Sequence, residues 1–228
     1  MRITERRLRQ LIRETLLREA RMTPETLPET VRVRIDHKGD DFAVLVFDEK
    51  LGRMARLEAA RIVPDDTFYS PEIVTDDSIE RGSRAPDIPF GNCHGAWEVV
   101  WTRVDKLYRA EGWGPLLYDI AMEVAGPDGL IPDRASVSDD ALAVWTFYLN
   151  RRSDVQAKPT DLTGVESRLR GLEQVTPNDP SDDCAQASTF SHLAKYPDWR
   201  ENPLRYVYRV TGTPTIDALK GLGKIAGA

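Results

Sequence analysis

The stretch that most constrains this chain runs from residue 96 to residue 125, AWEVVWTRVDKLYRAEGWGPLLYDIAMEVA. Ala96 to Val104 reads as a buried β-strand. A polar turn with Gly112 and Gly114 follows, and Leu116, Leu117, Ile120, Ala121 and Val124 then recur at helical spacing until Gly126-Pro127 stops them. A strand that feeds a helix through a glycine turn leaves the first N–H groups of the helix without internal partners, which favours an anion beside them. Arg109 adds a positive side chain to that turn. A dinucleotide-binding fingerprint would need a third glycine where Leu117 stands, and a P-loop would need Gly-Lys-Ser/Thr, so neither nucleotide site is expected.

The rest of the chain supplies partners for this unit. VRVRI (31–35) alternates strictly, FAVLVF (42–47) is nearly continuous, and the polar residues His37 to Asp41 between them predict a hairpin. Residues 53–63 fit either a third strand or a short helix. A long polar stretch with Pro64, Pro71, Pro86 and Pro89 reads as loop. Ser138 is placed to cap a helix over 138–150, with Asp139 and Asp140 in its first turn and Ala141, Val144, Trp145, Tyr148 and Leu149 on its apolar face. A charged helix is expected near 162–173, a strand at 204–210, and a helix from Thr215 to Ile225 capped by Thr213 with Pro214 first. The fold class is therefore α+β or α/β, a mixed sheet with helices on both faces, in one domain over 31–228.

Ahead of that domain, residues 1–21 form an amphipathic helical pattern with seven arginines against three glutamates, a balance of +4. Residues 22–30, with Pro24 and Pro28, read as a linker. The chain carries −6 overall, so the part after residue 21 carries about −10, which argues against a nucleic-acid partner. No apolar run approaches the roughly 20 residues of a membrane span. No uninterrupted apolar stretch near the N-terminus suggests a secretory signal, and the expected location is cytoplasmic. Cys93 and Cys184 match no metal or redox spacing and are expected as reduced thiols. His37, His94 and His192 share no metal-ligand spacing, so no metal is expected.

Arg109-Ala110-Glu111-Gly112-Trp113-Gly114 has the R/Q-x-x-G-x-G/A form of the GNAT N-acetyltransferase superfamily, and it stands at that family's strand–helix junction. SVSDDALAVWTFYLN resembles the family's next element, a short strand followed by a helix. The run from GWGPLLYDIAMEVAG to GLIPDRASVSDDALAVWTFYLNRRSDV is similar to GNAT-like proteins encoded by phages, and the arginine-rich leader resembles those of tailed-phage and marine bacterial proteins. The resemblance covers residues 95–150 well and the remainder loosely. It implies a GNAT-like fold, α+β with a mixed, mostly antiparallel sheet flanked by helices and a C-terminal extension within 31–228, and acetyl-coenzyme A or another acyl-coenzyme A as cofactor. The pyrophosphate would lie on residues 109–114, and the pantetheine arm would lie along the strand edge from Trp101 to Val104. It further implies acyl transfer to an amine, with a base for the amine and an acid for the leaving thiolate.

This sequence departs from the family pattern at two positions. Pro115 removes an N–H beside the glycines, and Trp145 occupies the position of the usual catalytic tyrosine. Tyr148, one turn further along, is the candidate acid, and Glu98 or Asp105 the candidate base. Arg134 is expected to pair with Asp133 or Asp139, and Trp113 to be exposed between its glycines. Cys93-His94 invites a nucleophile–base reading, but adjacent residues of a strand face opposite ways. The alternative to an enzyme is a catalytically reduced GNAT-fold protein carried into a phage particle or similar assembly by residues 1–21.

Overall fold

A computed structural model describes residues 22–64, 67–69, 87–109 and 111–227. The amphipathic segment 1–21 and Ala110 lie outside the described residues. The predicted α+β class holds: among the described residues, a mixed sheet of seven strands in the order β1-β2-β3-β6-β7-β9-β8 is accompanied by five α-helices.

The hairpin forms where the alternation predicts it. Strands β1 (Val31–Lys38) and β2 (Asp41–Asp48) pair through to Lys38 opposite Asp41, so the loop contracts to Gly39 and Asp40. Gly39 has φ +59°, a left-handed conformation that a glycine enters without penalty. The ambiguous third segment is a strand, β3 (Gly52–Arg61), antiparallel to β2. Its pairing with β2 buries Met54, Ala55, Leu57 and Ala59, which an isolated helix of that sequence would leave wet.

Within the long polar stretch, β4 (Thr67–Tyr69) and β5 (Asp87–Pro89) pair as a separate two-stranded sheet. Strand β6 (Trp97–Val104) then runs antiparallel to β3 and parallel to β7 (Leu130–Ile131). Strand β8 (Val155–Pro159) and strand β9 (Tyr206–Val210) complete the sheet with antiparallel pairing. The short strands β7 and β8 have no counterpart in the sequence reading.

Helix α1 (Trp113–Ala125) lies on β2, β3, β6 and β9, and Leu116, Leu117, Ile120 and Ala121 are buried there among Val44, Leu57 and Val99. Helix α2 (Asp139–Arg151) is capped as predicted, with Ser138 Oγ accepting the Ala141 N–H at 3.3 Å. Its buried face is Leu142, Val144, Trp145, Phe147 and Tyr148, shifted from the predicted stripe, with Ala141 and Leu149 only half-buried. Trp145 is the joint: its ring lies 5.0 Å from Tyr118 of α1 and 4.9 Å from Tyr208 of β9.

Helix α5 (Pro214–Gly221) does begin at Pro214, but Thr213 caps no backbone N–H. The carboxylate of Glu123 on α1 does so instead, accepting the Thr215 and Ile216 N–H groups at 2.8 Å each. The segment read as a linker is packed, with Pro24 and Leu27 buried and the short turn Pro24–Thr26 against α5. Residues 224–226 bond to Val33 and cover part of the outer edge of β1.

Between β8 and β9 lies an insertion, residues 160–205, that includes α3 (Gly164–Arg170) and α4 (Ala187–Ser191). A small apolar cluster of Leu162, Phe190 and Trp199 and many polar side chains hold it. Asn202 donates to Thr189 O at 2.9 Å and accepts from Leu204 N–H at 3.0 Å, while Gln186 donates to Leu204 O at 3.0 Å. Glu166 pairs with Arg170 at 3.0 Å with no exposure of the carboxylate. A disulfide joins Cys184 of the insertion to Cys93 just before β6. The two cysteines expected as reduced thiols are therefore bonded, because the loop at 90–95 and the segment 181–185 lie side by side through backbone bonds from Cys93 to Asp183, His94 to Ser181 and Ala185 to Phe90.

Candidate functional site

The site follows from how β6 leaves its neighbours. It pairs with β7 only at Trp97–Leu130 and Glu98–Ile131. Pro132 then ends β7, because proline has no N–H for a ladder. From Val99 to Val104 the hydrogen-bonded strand neighbour of β6 is β3, and among the described residues no strand pairs with its other edge. The register with β3 shifts between Glu58 and Ala59, so Val100 is an extra residue on β6. The shift turns the strand: its first residues are buried, yet Val100 and Trp101 are 43% and 39% exposed. The expectation of a strand buried throughout therefore fails beyond Val99.

Past the strand, Asp105 accepts the Leu107 N–H at 3.1 Å and caps a short turn, Lys106–Tyr108. Its carboxylate is thus engaged in a cap. Arg109 Nε lies 3.5 Å from the Val104 carbonyl oxygen. Gly112 has φ +85° and stands at the N-cap of α1, so the turn requires glycine there. Gly114 does not: a Cβ on it would meet nothing within 4 Å. The second glycine therefore leaves open space beside the first helical N–H groups, and no conformational need explains it. Trp113 is 2% exposed, with its indole N–H donated to Glu111 at 3.0 Å. The expected exposure of this tryptophan is overturned, since the left-handed Gly112 turns the chain and rotates the indole inward.

The other two candidate proton carriers, Tyr148 and Glu98, are also engaged elsewhere. The Tyr148 hydroxyl is buried, and its one proton is shared between Asp119 Oδ1 at 2.9 Å and the Pro115 carbonyl at 3.0 Å, a tie between α2 and the first turn of α1. Arg152 also donates to Asp119, at 2.8 Å. Glu98 accepts from the Arg134 backbone N–H at 2.7 Å and from its guanidinium at 2.6 Å. Arg134 is 2% exposed, stacks over Phe90 and pairs with Glu98 rather than with Asp133 or Asp139. Those two carboxylates have other partners: Asp133 accepts the Ala135 and Ser136 N–H groups, and Asp139 pairs with Lys195. Burial pushes the Asp133 carboxyl up, and the nearby Glu98 charge adds to the shift. Tyr118, beneath Trp145, is pushed up to about 12 by burial and stays a phenol.

Cys93-His94 is no nucleophile–base pair. The sulfur is in the disulfide, and the imidazole lies 2.9 Å from the Pro159 carbonyl through Nε2 and 2.9 Å from Lys158 Nζ through Nδ1. Burial holds its pKa below the usual histidine value, and the ammonium donor on Nδ1 favours the neutral ring. No signal in the sequence pointed to the Arg134–Glu98 pair, because the two residues lie 36 apart and meet only where β6 and β7 diverge. Among the described residues, no helix is long and apolar enough to cross a membrane. No family model matches the chain, and neither the curated proteins nor the solved structures provide a match.

Proposed function

We propose that the chain is a GNAT-like protein that binds acyl-coenzyme A in the opening beside β6, and that acyl transfer to an amine is its activity. The observation that carries this reading is the β6 edge from Val99 to Val104, unpaired among the described residues, which leads directly to the N-terminus of α1. An exposed strand edge offers N–H and C=O groups that match the amides of a pantetheine arm. The helix N-terminus with Gly112 and Gly114 offers donors and space for a pyrophosphate, with Arg109 beside it. The succession of β6, the 109–114 turn, α1 and α2 follows the order in which the sequence resemblance places these elements.

In the reaction, the amine nitrogen attacks the thioester carbonyl carbon, the C–S bond breaks, the amine loses a proton to a base, and the leaving thiolate takes one. Pro115, in the first turn of α1, has no N–H, so the site would offer the pyrophosphate one donor fewer. A second reading has its own support. Tyr148 is tied to Asp119, and Glu98 is neutralised by Arg134, so neither is free to move a proton. That arrangement suits a catalytically reduced GNAT-fold protein that serves an assembly, with residues 1–21 as its tether.

Calorimetric titration with acetyl-coenzyme A separates these readings. Saturable binding, lost in Gly114→Leu without loss of thermal stability, is expected, because the fold has room for that side chain. Absence of binding at millimolar ligand would remove the cofactor and the enzyme together. Binding without release of free thiol in the presence of amines would leave the reduced protein as the function.

A further inference from the structure

The seven-stranded sheet has a second face, opposite the one that α1 covers. On it the register builds a cross-strand row in which Arg34 faces Leu45, Leu45 faces Arg56, and Arg56 faces Arg103. Residues directly opposite in antiparallel strands share a face, and like charges so placed destabilise the pair. Arg56 is relieved by an ion pair with Glu58 at 2.7 Å. Arg103 and the nearby exposed Arg53 have no carboxylate partner among the described residues. Asp105, at the same concavity, is committed to the cap on Leu107. The register shift of β6 sets the exposed Val100 and Trp101 next to these cations, and Arg53, Arg56, Trp101 and Arg103 line one shallow depression.

We propose that this face is a docking surface for an acidic segment of a partner protein. Its carboxylates would sit on Arg53 and Arg103, and an apolar or aromatic side chain on Val100 and Trp101. Three features select this occupant. The depression is shallow, whereas a small ligand needs an enclosing pocket. Asp36, Glu58 and Asp105 stand among the arginines and would repel a continuous phosphate backbone, while a mixed acidic and apolar segment can place its carboxylates around them. Tryptophan and arginine are also the side chains that most often carry the energy of a protein interface. The surface lies on the face of β6, not on its unpaired edge, and owes nothing to the acyl-coenzyme A reading.

The probe is a fluorescein-labelled peptide of glutamates interspersed with phenylalanine, followed by fluorescence anisotropy with the full chain. Binding is expected to weaken as salt rises and to weaken about tenfold or more in Arg53→Glu and in Trp101→Ala. Both side chains are exposed, and circular dichroism with thermal melting verifies that each variant is folded. Arg53→Gln gives a milder charge loss should the reversal disturb the sheet. Three results overturn the proposal: no peptide binding by the unmodified chain, equal binding by the folded variants, or oligo-dT bound as tightly as the peptide.

Discussion

The half-sheet β1-β2-β3-β6 under α1 and the insertion 160–205 are folded parts of one chain held by different physics. In the first, Val33, Val44, Val46, Leu57 and Leu117 are buried completely or nearly so, and non-directional apolar burial does the stabilising. In the second, beside a small apolar cluster of Leu162, Phe190 and Trp199, the buried residues include Thr160, Asp161, Glu166, Gln186 and Asn202, each bonded to a particular partner. The half-sheet tolerates exchange of one apolar residue for another of similar volume. The insertion tolerates little, since a missing partner strands a buried polar group at about 1–3 kcal/mol. The disulfide ties the second kind of structure to the first.

The largest expected effect tests the apolar side of this contrast. Trp145→Ala removes the joint between α1, α2 and β9 and should cost about 3–5 kcal/mol in urea unfolding, in one cooperative transition. A loss below about 1 kcal/mol would show that the joint lies elsewhere. Next comes the link. Replacing Cys93 and Cys184 with serine opens a closure spanning 91 residues and should cost about 2–4 kcal/mol. Hydrogen exchange should quicken first in 160–205, while α1 and β2 keep their protection. Uniform quickening across both regions would mean that the insertion is not a separate stability unit.

The smallest effect concerns charge inside the insertion. Burial, with the Asp161 and Asp182 charges, pushes Asp183 up to about 6. A carboxyl with a raised pKa binds its proton more tightly when folded, so its contribution is present at acid pH and declines as pH rises through about 6. Asp183→Asn mimics the protonated form. Its thermal midpoint, relative to the unmodified chain, should therefore climb between about pH 4 and pH 7 and level off above. A difference that is flat with pH, or larger in acid, would contradict the assignment.

How much was legible follows the same division. The β1–β2 hairpin, the helix after Gly112, the Ser138 cap and the start of α5 at Pro214 were readable, because period and capping are written in neighbouring residues. Strand β7 was not, since Leu130 and Ile131 have no period and become a strand only between β6 and β9. At the site, Arg109 to Gly114 were recognisable as a turn leading to a helix N-terminus. The engagement of Tyr148 by Asp119 and of Glu98 by Arg134 was hidden, because each pair joins residues about 30 apart.

By itself, then, the sequence determined the hairpin, helices α1 and α2, the start of α5 and the glycine turn, all features whose energetics are settled within a few residues. The tertiary structure alone decided that β6 and β7 diverge, that the two cysteines meet, that Trp113 turns inward, and that Arg53, Arg103 and Trp101 share one open face. Those outcomes depend on which distant backbone lies alongside, and strand register and loop packing specify that only once the whole chain has closed on its core.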